Sequence, residues 1–432
     1  MNPFPKADEL TRRQFVSNAA RAYLGVHLFP MLGGTLASAA PAAAAKGGTA
    51  KSVIYLYMSG GMSHLDTFDP KPKNKAVMGK TEAIPTKVDG VMLGNHLPKT
   101  AEVIDKVCVI NSMNSTQGAH EQGAYTMHTS YALRGTIAHP SLGAWVVKQG
   151  GRIHPELPGF VAIDSSPEHV GGGFFGAKYS AALIGSPDEG LQDSKRADAV
   201  SPEDFDRRLS LADRMNSQFH NRYPNADVKA YEELYREAIA LMKSKDLSAF
   251  DLSQESAATR GLYGSGRFAQ GCLLARRLVE SGVRFVEVQL GGWDTHVDNF
   301  TAVAGRCKEF DQAYAALITD LAKSGKLKDT LVVVATEFGR TPEIKAEHKD
   351  GRDHHPQAFS CLLAGGGIKG GVKHGLTDSS GGKVKDGLVN VQDFNATIAH
   401  ALRLPCDTIV MSPTKRPFKI ADKGVPVAAL FG

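Results

Sequence analysis

The run Ser52–Met58, SVIYLYM, carries no charge and stops abruptly at Ser59-Gly60-Gly61. A short apolar run bounded by turn residues predicts a strand buried on both faces. The same pattern recurs in VCVIN within 102–113, PGFVAID (158–164), VRFVEVQL (283–290), TLVVVAT (330–336) and AFSCLLAG (358–365). Between these runs the apolar spacing lengthens to that of helices. HEQGAYTMHTSYALRG (120–135) is helical and stops at its glycine; 142–148 is a further helix; the charge-rich stretch 201–258 is mostly helical. YGSGRFAQGCLLARRLVESG closes at Gly282, FTAVAGRCKEFDQAYAALITDLAKSG is long and amphipathic, and QDFNATIAHALRL closes the chain's pattern. VGGGFFGAKYSAALIG reads as a glycine-rich loop. Strands alternating with helices predict an α/β fold around a mainly parallel sheet, with ligands beyond the carboxyl ends of the strands.

The first 45 residues do not share this alternation. Thr11-Arg12-Arg13-Gln14-Phe15 resembles a twin-arginine export signal, followed by a moderately apolar segment and small residues suited to cleavage after Ala39 or near Ala44. Pro30, Gly33 and Gly34 interrupt that segment, which argues against a stable membrane span. The expected organisation is therefore a signal over 1–45 and one domain over 46–432, with a helical insertion near 201–258. Delivery by the twin-arginine machinery to the periplasm or beyond follows as an expectation.

Composition narrows the function classes. The net charge is +5, and the residues after the signal hold 46 basic and 43 acidic side chains with no dense basic patch. That gives nucleic-acid binding no support. No later segment is apolar enough to span a bilayer. The five cysteines are widely spaced with no C-x-x-C, so they read as small buried apolar residues.

Candidate chemistry gathers where strands end. After SVIYLYM come Ser63, His64, Asp66 and Asp69; after VEVQL, Asp294 and His296; after LVVVAT, Glu337 and Arg340; before AFSCLLAG, Arg352, Asp353, His354 and His355. Mixed imidazole and carboxylate donors suit zinc, manganese or iron, while calcium and magnesium prefer oxygen. A divalent ion, its identity open among zinc, manganese, iron and calcium, is the expected cofactor. Asp294 and His296, two apart in an extended segment, point to one side and can grip one ion. His354 and His355 point to opposite sides, so one of them is expected as a ligand, His355 by preference, with Asp353 orienting a histidine. Each residue alone has a plainer reading: an isolated His64 or His120 is more often a hydrogen-bonded structural group, and a glutamate after a strand is often a salt-bridge partner.

Taken in order, GGMSHLDTFDPKP, GGWDTH, TEFGRTP, GRDHHP and GGGIKGGVKHGLTD resemble the bacterial family of domain of unknown function 1501, from Val53 to about Leu402. That family is itself similar to the alkaline phosphatase and sulfatase superfamily. The resemblance implies a three-layer α/β/α sandwich, alkaline phosphatase-like, with a metal site at the strand ends. It places Asp294 and His296 on the Asp-and-His segment, Glu337 on an aspartate position and His354 or His355 on a late histidine. Phe338 stands where a metal-binding histidine is expected, and Asp66 is the nearest substitute for the aspartate that ends the first strand. No C/S-x-P-S-R nucleophile motif occurs; the corresponding segment offers Thr116 and His120, and His64 is a further acid–base candidate. Arg340 and Arg352 are candidates to hold ester oxygens in a fork. The implied activity is metal-dependent hydrolysis of sulfate or phosphate esters, glycan-borne esters included. The alternative is a non-catalytic binding or assembly protein on a degenerate scaffold.

Overall fold

A computed structural model describes residues 47–432 other than 193, 195, 198 and 225; the segment 1–45, expected to be an export signal, lies outside the described residues. Its centre is a nine-stranded sheet built from β1 (Ser52–Met58), β2 (Val107–Asn114), β3 (Phe160–Ile163), β4 (Ala182–Ile184), β5 (Phe285–Leu290), β6 (Thr330–Ala335), β7 (Phe359–Gly365), β8 (Val372–His374) and β9 (Val389–Asn390). The order is β8-β2-β7-β6-β1-β5-β3-β4, with β9 beside β2. Strand β1 is central and parallel to both neighbours, Leu56 facing Val288 on one side and Val334 on the other. Only β7 runs against its neighbours within this sheet.

Side chains along a strand alternate between faces. Ile54, Leu56 and Met58 enter one core, and Val53, Tyr55 and Tyr57 the other. The first core is covered by the helices Arg267–Glu280 and Asn299–Lys323, the second by α1 (His120–Thr129), α2 (Leu142–Gly150) and a helix at Val391–Ala401. The expected three-layer α/β/α sandwich around a mainly parallel sheet is the architecture observed. Helices Pro202–Arg222 and Ala226–Lys243 occupy most of the charge-rich stretch. No described helix is long and apolar enough to cross a membrane.

Two local readings are corrected. The glycine-rich stretch expected as a loop holds the edge strand β4. Helix α1 stops at Ser130, not at Gly135, because Ser130 takes a left-handed conformation with φ 68°. That backbone is costly for a residue with a Cβ. Here the Asn395 amide offsets it, donating to the Ser130 hydroxyl and the Met127 carbonyl, both at 2.8 Å.

Candidate metal centre

Parallel strands β1, β5 and β6 all end at one edge of the sheet. Because β7 is antiparallel, the segment before it, Gly351–His355, reaches that same edge. A two-residue ribbon pairs His354 with Arg340 and His355 with Gly339. Adjacent residues of such a ribbon face opposite ways. His354 therefore turns toward the centre, and His355 turns away to the Gly382 carbonyl at 2.7 Å.

Three imidazoles meet around Asp294. Its Oδ1 lies 3.4 Å from His120 Nε2, 3.2 Å from His296 Nε2 and 3.5 Å from His354 Nε2. His296 and His354 approach each other to 2.9 Å through Nε2. Each imidazole is held from behind through Nδ1. His120 donates to Glu337 at 2.9 Å, His296 to Asp353 at 3.0 Å and His354 to the Gly118 carbonyl at 2.8 Å. Such acceptors fix the tautomer and leave each Nε2 with a lone pair pointing inward. Two neutral rings at 2.9 Å would then face lone pair to lone pair, an arrangement that a cation relieves.

Electrostatics keeps the carboxylates of the centre ionised. Burial works against ionised Asp294, but the Arg340 guanidinium, donating at 2.6 Å, outweighs it and holds the carboxyl below its usual range. Burial likewise opposes ionised Glu337, and is outweighed by the His120 hydrogen bond and the Gly60 N–H at 2.8 Å. Tyr57 donates to the other Glu337 oxygen at 3.0 Å. The hydrogen bond to Glu337 raises the pKa of His120, and burial lowers that of His354.

The donor set fits a small divalent ion. Zinc bonds of about 2.0–2.1 Å imply tetrahedral edges of about 3.3 Å, close to the separations around Asp294. His120 Nε2 is buried without a hydrogen-bond partner, and His120, Asp294 and His354 offer atoms within 4.8 Å of one another. The two nitrogens and one oxygen of that group, with His296 Nε2 beside Asp294 and His354, suit zinc better than magnesium or calcium.

The profile of the family described as "Protein of unknown function (DUF1501)" matches residues 50–431. The chain belongs to that family. A search of curated proteins finds no match. Among solved structures, the lipoteichoic acid synthase LtaP from Listeria monocytogenes is similar at 10% identity and TM-score 0.39, over 83% of this chain and 73% of that one. A variant alkaline phosphatase of the Antarctic bacterium TAB5, solved with magnesium bound, is similar at 12% identity and TM-score 0.39, over 83% and 100%. A sulfatase from Pseudoalteromonas sp. is similar at 15% identity and TM-score 0.38, over 87% and 73%.

The other sequence-predicted residues lie outside the four-donor cluster. Asp66 is buried in an ion pair with Arg352 at 3.0 Å. It also accepts from Ser63, from Thr81 at 2.7 Å and from Asn299 at 3.0 Å. Arg352 spends its remaining donors on the carbonyls of Thr341, Pro342 and Val77. Arg340 binds Asp294 and the carbonyls of Gly60, Gly61 and Arg352, so its fork supports the centre from within. His64 is fully buried, donates to the Gly381 carbonyl at 2.8 Å and is pushed down to a pKa of about 4 by burial. Thr116 is exposed on the loop before α1. Glu337 supports His120 from behind. Phe338 packs its buried ring against His120 and His354, with centroids at 5.1 and 4.5 Å. Sequence reasoning missed Tyr57, hidden in a strand that reads as wholly apolar, and the Gly118 carbonyl, which no side-chain pattern reveals.

Proposed function

We propose that the protein is an exported metal-dependent hydrolase of phosphate or sulfate esters, with His120, Asp294, His296 and His354 holding one divalent ion, zinc by preference. The observation that carries this reading is the convergence of three Nε2 atoms on one carboxylate oxygen, each imidazole backed by an acceptor at Nδ1. When bound, the ion supplies Lewis-acid neutralisation for an anionic ester. The protein's own groups orient the donors: Glu337 aims His120, Asp353 aims His296, and Arg340 keeps Asp294 ionised. Asp353 is in turn paired with Lys345, which ties the His296 loop to the surface beside it. The twin-arginine pattern supports export, and with it extracellular esters such as those on glycans.

One observation favours a second reading. Four protein donors form the closed set typical of structural zinc, whereas catalytic zinc usually keeps a position open. Both flanking arginines are also committed to protein groups. A non-catalytic binding or assembly protein would look like this. The deciding experiment measures metal content of the purified protein, then hydrolysis of aryl phosphate and aryl sulfate by the zinc-loaded wild type and by His354→Ala. Stoichiometric metal and turnover, both lost in a folded variant, support the hydrolase. Stoichiometric metal without turnover supports the binding protein, and no metal after zinc incubation sinks the hydrolase and leaves the degenerate-scaffold reading.

A further inference from the structure

Beneath the centre lies a second histidine–carboxylate pair that the proposed chemistry leaves unused. Glu287 interrupts the apolar strand β5 and is 2% exposed. Its Oε1 lies 3.3 Å from Nε2 of His128, which is 3% exposed. The other ring nitrogen of His128, Nδ1, faces the Ala124 carbonyl at 2.8 Å. Both nitrogens thus face oxygens, an arrangement that suits the charged, doubly protonated ring. Burial works against that charge, and the neighbouring Glu287 outweighs it. His169, stacked on His128 at 5.3 Å, is held neutral by burial and by that adjacent charge.

His128 and His120 stand eight residues apart on α1, about 12 Å along its axis. Each is bound to a buried carboxylate of the sheet, His128 to Glu287 in the middle of β5 and His120 to Glu337 just beyond the end of β6. Tyr57 joins the two pairs. Its hydroxyl donates to Glu337, and its ring meets His128 edge-on at 4.5 Å.

We propose that the buried Glu287–His128 pair is a positioning device for the candidate metal centre: it fixes the seat of α1 on the sheet and, together with Tyr57, the place of His120. This rests on the metal reading above. An apolar pair of similar volume would hold the helix as firmly, since buried ion pairs are often replaceable without loss of stability. An apolar pair lacks direction, however. An N–H aimed at one carboxylate oxygen allows a single register of helix on strand, and the helix carries His120 at its first turn.

The test compares the wild type with the double variant His128→Leu/Glu287→Leu and with Tyr57→Phe. Zinc affinity is measured by competition with a chromophoric chelator, and the unfolding temperature is measured on the metal-free proteins. The double variant is expected to unfold within a few degrees of the wild type yet bind zinc about tenfold more weakly, the scale of outer-shell substitutions at metal sites. Tyr57→Phe is expected to weaken zinc binding in the same direction, and the single variant Glu287→Leu, which leaves a neutral His128 still bonded to Ala124, decides the matter if the double variant does not fold. Wild-type affinity in the folded variants overturns the proposal, as does a loss of affinity that merely follows a loss of thermal stability. A wild type that binds no zinc fails at the first titration, and that result overturns the metal reading itself.

Discussion

Asp66 and Asp294 show how one residue type serves two purposes in one molecule. Asp294 is half exposed and meets three imidazoles, while Asp66 is wholly buried and meets an arginine, two hydroxyls and an amide. Removing one partner of a buried ion pair costs about 3–5 kcal/mol, because the other charge is stranded. Asp66→Ala is therefore expected to lose stability on that scale in denaturant unfolding while keeping its metal content. Metal lost from a protein of unchanged stability would instead make Asp66 a ligand. A string of residue types shows both aspartates as candidates; only their partners separate them. The same holds for His354 and His355, where alternation says that one faces the centre but not which.

At the scale of elements, the centre depends on how closely two turns approach. Gly60 has φ 116°, and a Cβ built there would lie 2.5 Å from the Asp294 backbone nitrogen. Its own N–H also holds Glu337. Gly60→Ala is thus expected to push the 293–296 segment outward, lowering stability by about 1–3 kcal/mol and weakening zinc binding, as read by chelator competition and unfolding together. A variant with unchanged affinity would show that the turn tolerates the shift. The glycine pair after β1 is visible in the sequence as a sharp turn. The close approach to Trp293 and Asp294, more than two hundred residues later, is not.

Across the whole molecule, two buried histidines and one half-buried one give a pH signature. His64, His139 and His169 are each held near a pKa of about 4, chiefly by burial. Their ordinary value is about 6.5. Below that value the unfolded chain takes up protons that the folded chain does not, so stability falls as pH drops from about 6.5 to about 4. Denaturant midpoints measured across this window should decline with acidification, and a flat or rising profile would mean these rings protonate within the fold. The alternation of apolar runs was sufficient to determine the α/β class, the six longest strands of the sheet and the edge at which chemistry gathers, because burial and periodicity are local properties of a chain. Tertiary structure alone decided which donors converge. The direction of β7 brings His354 to the ends of β1, β5 and β6, the seat of α1 brings His120 across from Glu337, and the Asp66–Arg352 pair withdraws two polar residues into the interior. Those outcomes rest on contacts between segments far apart in the chain, and no local pattern encodes them.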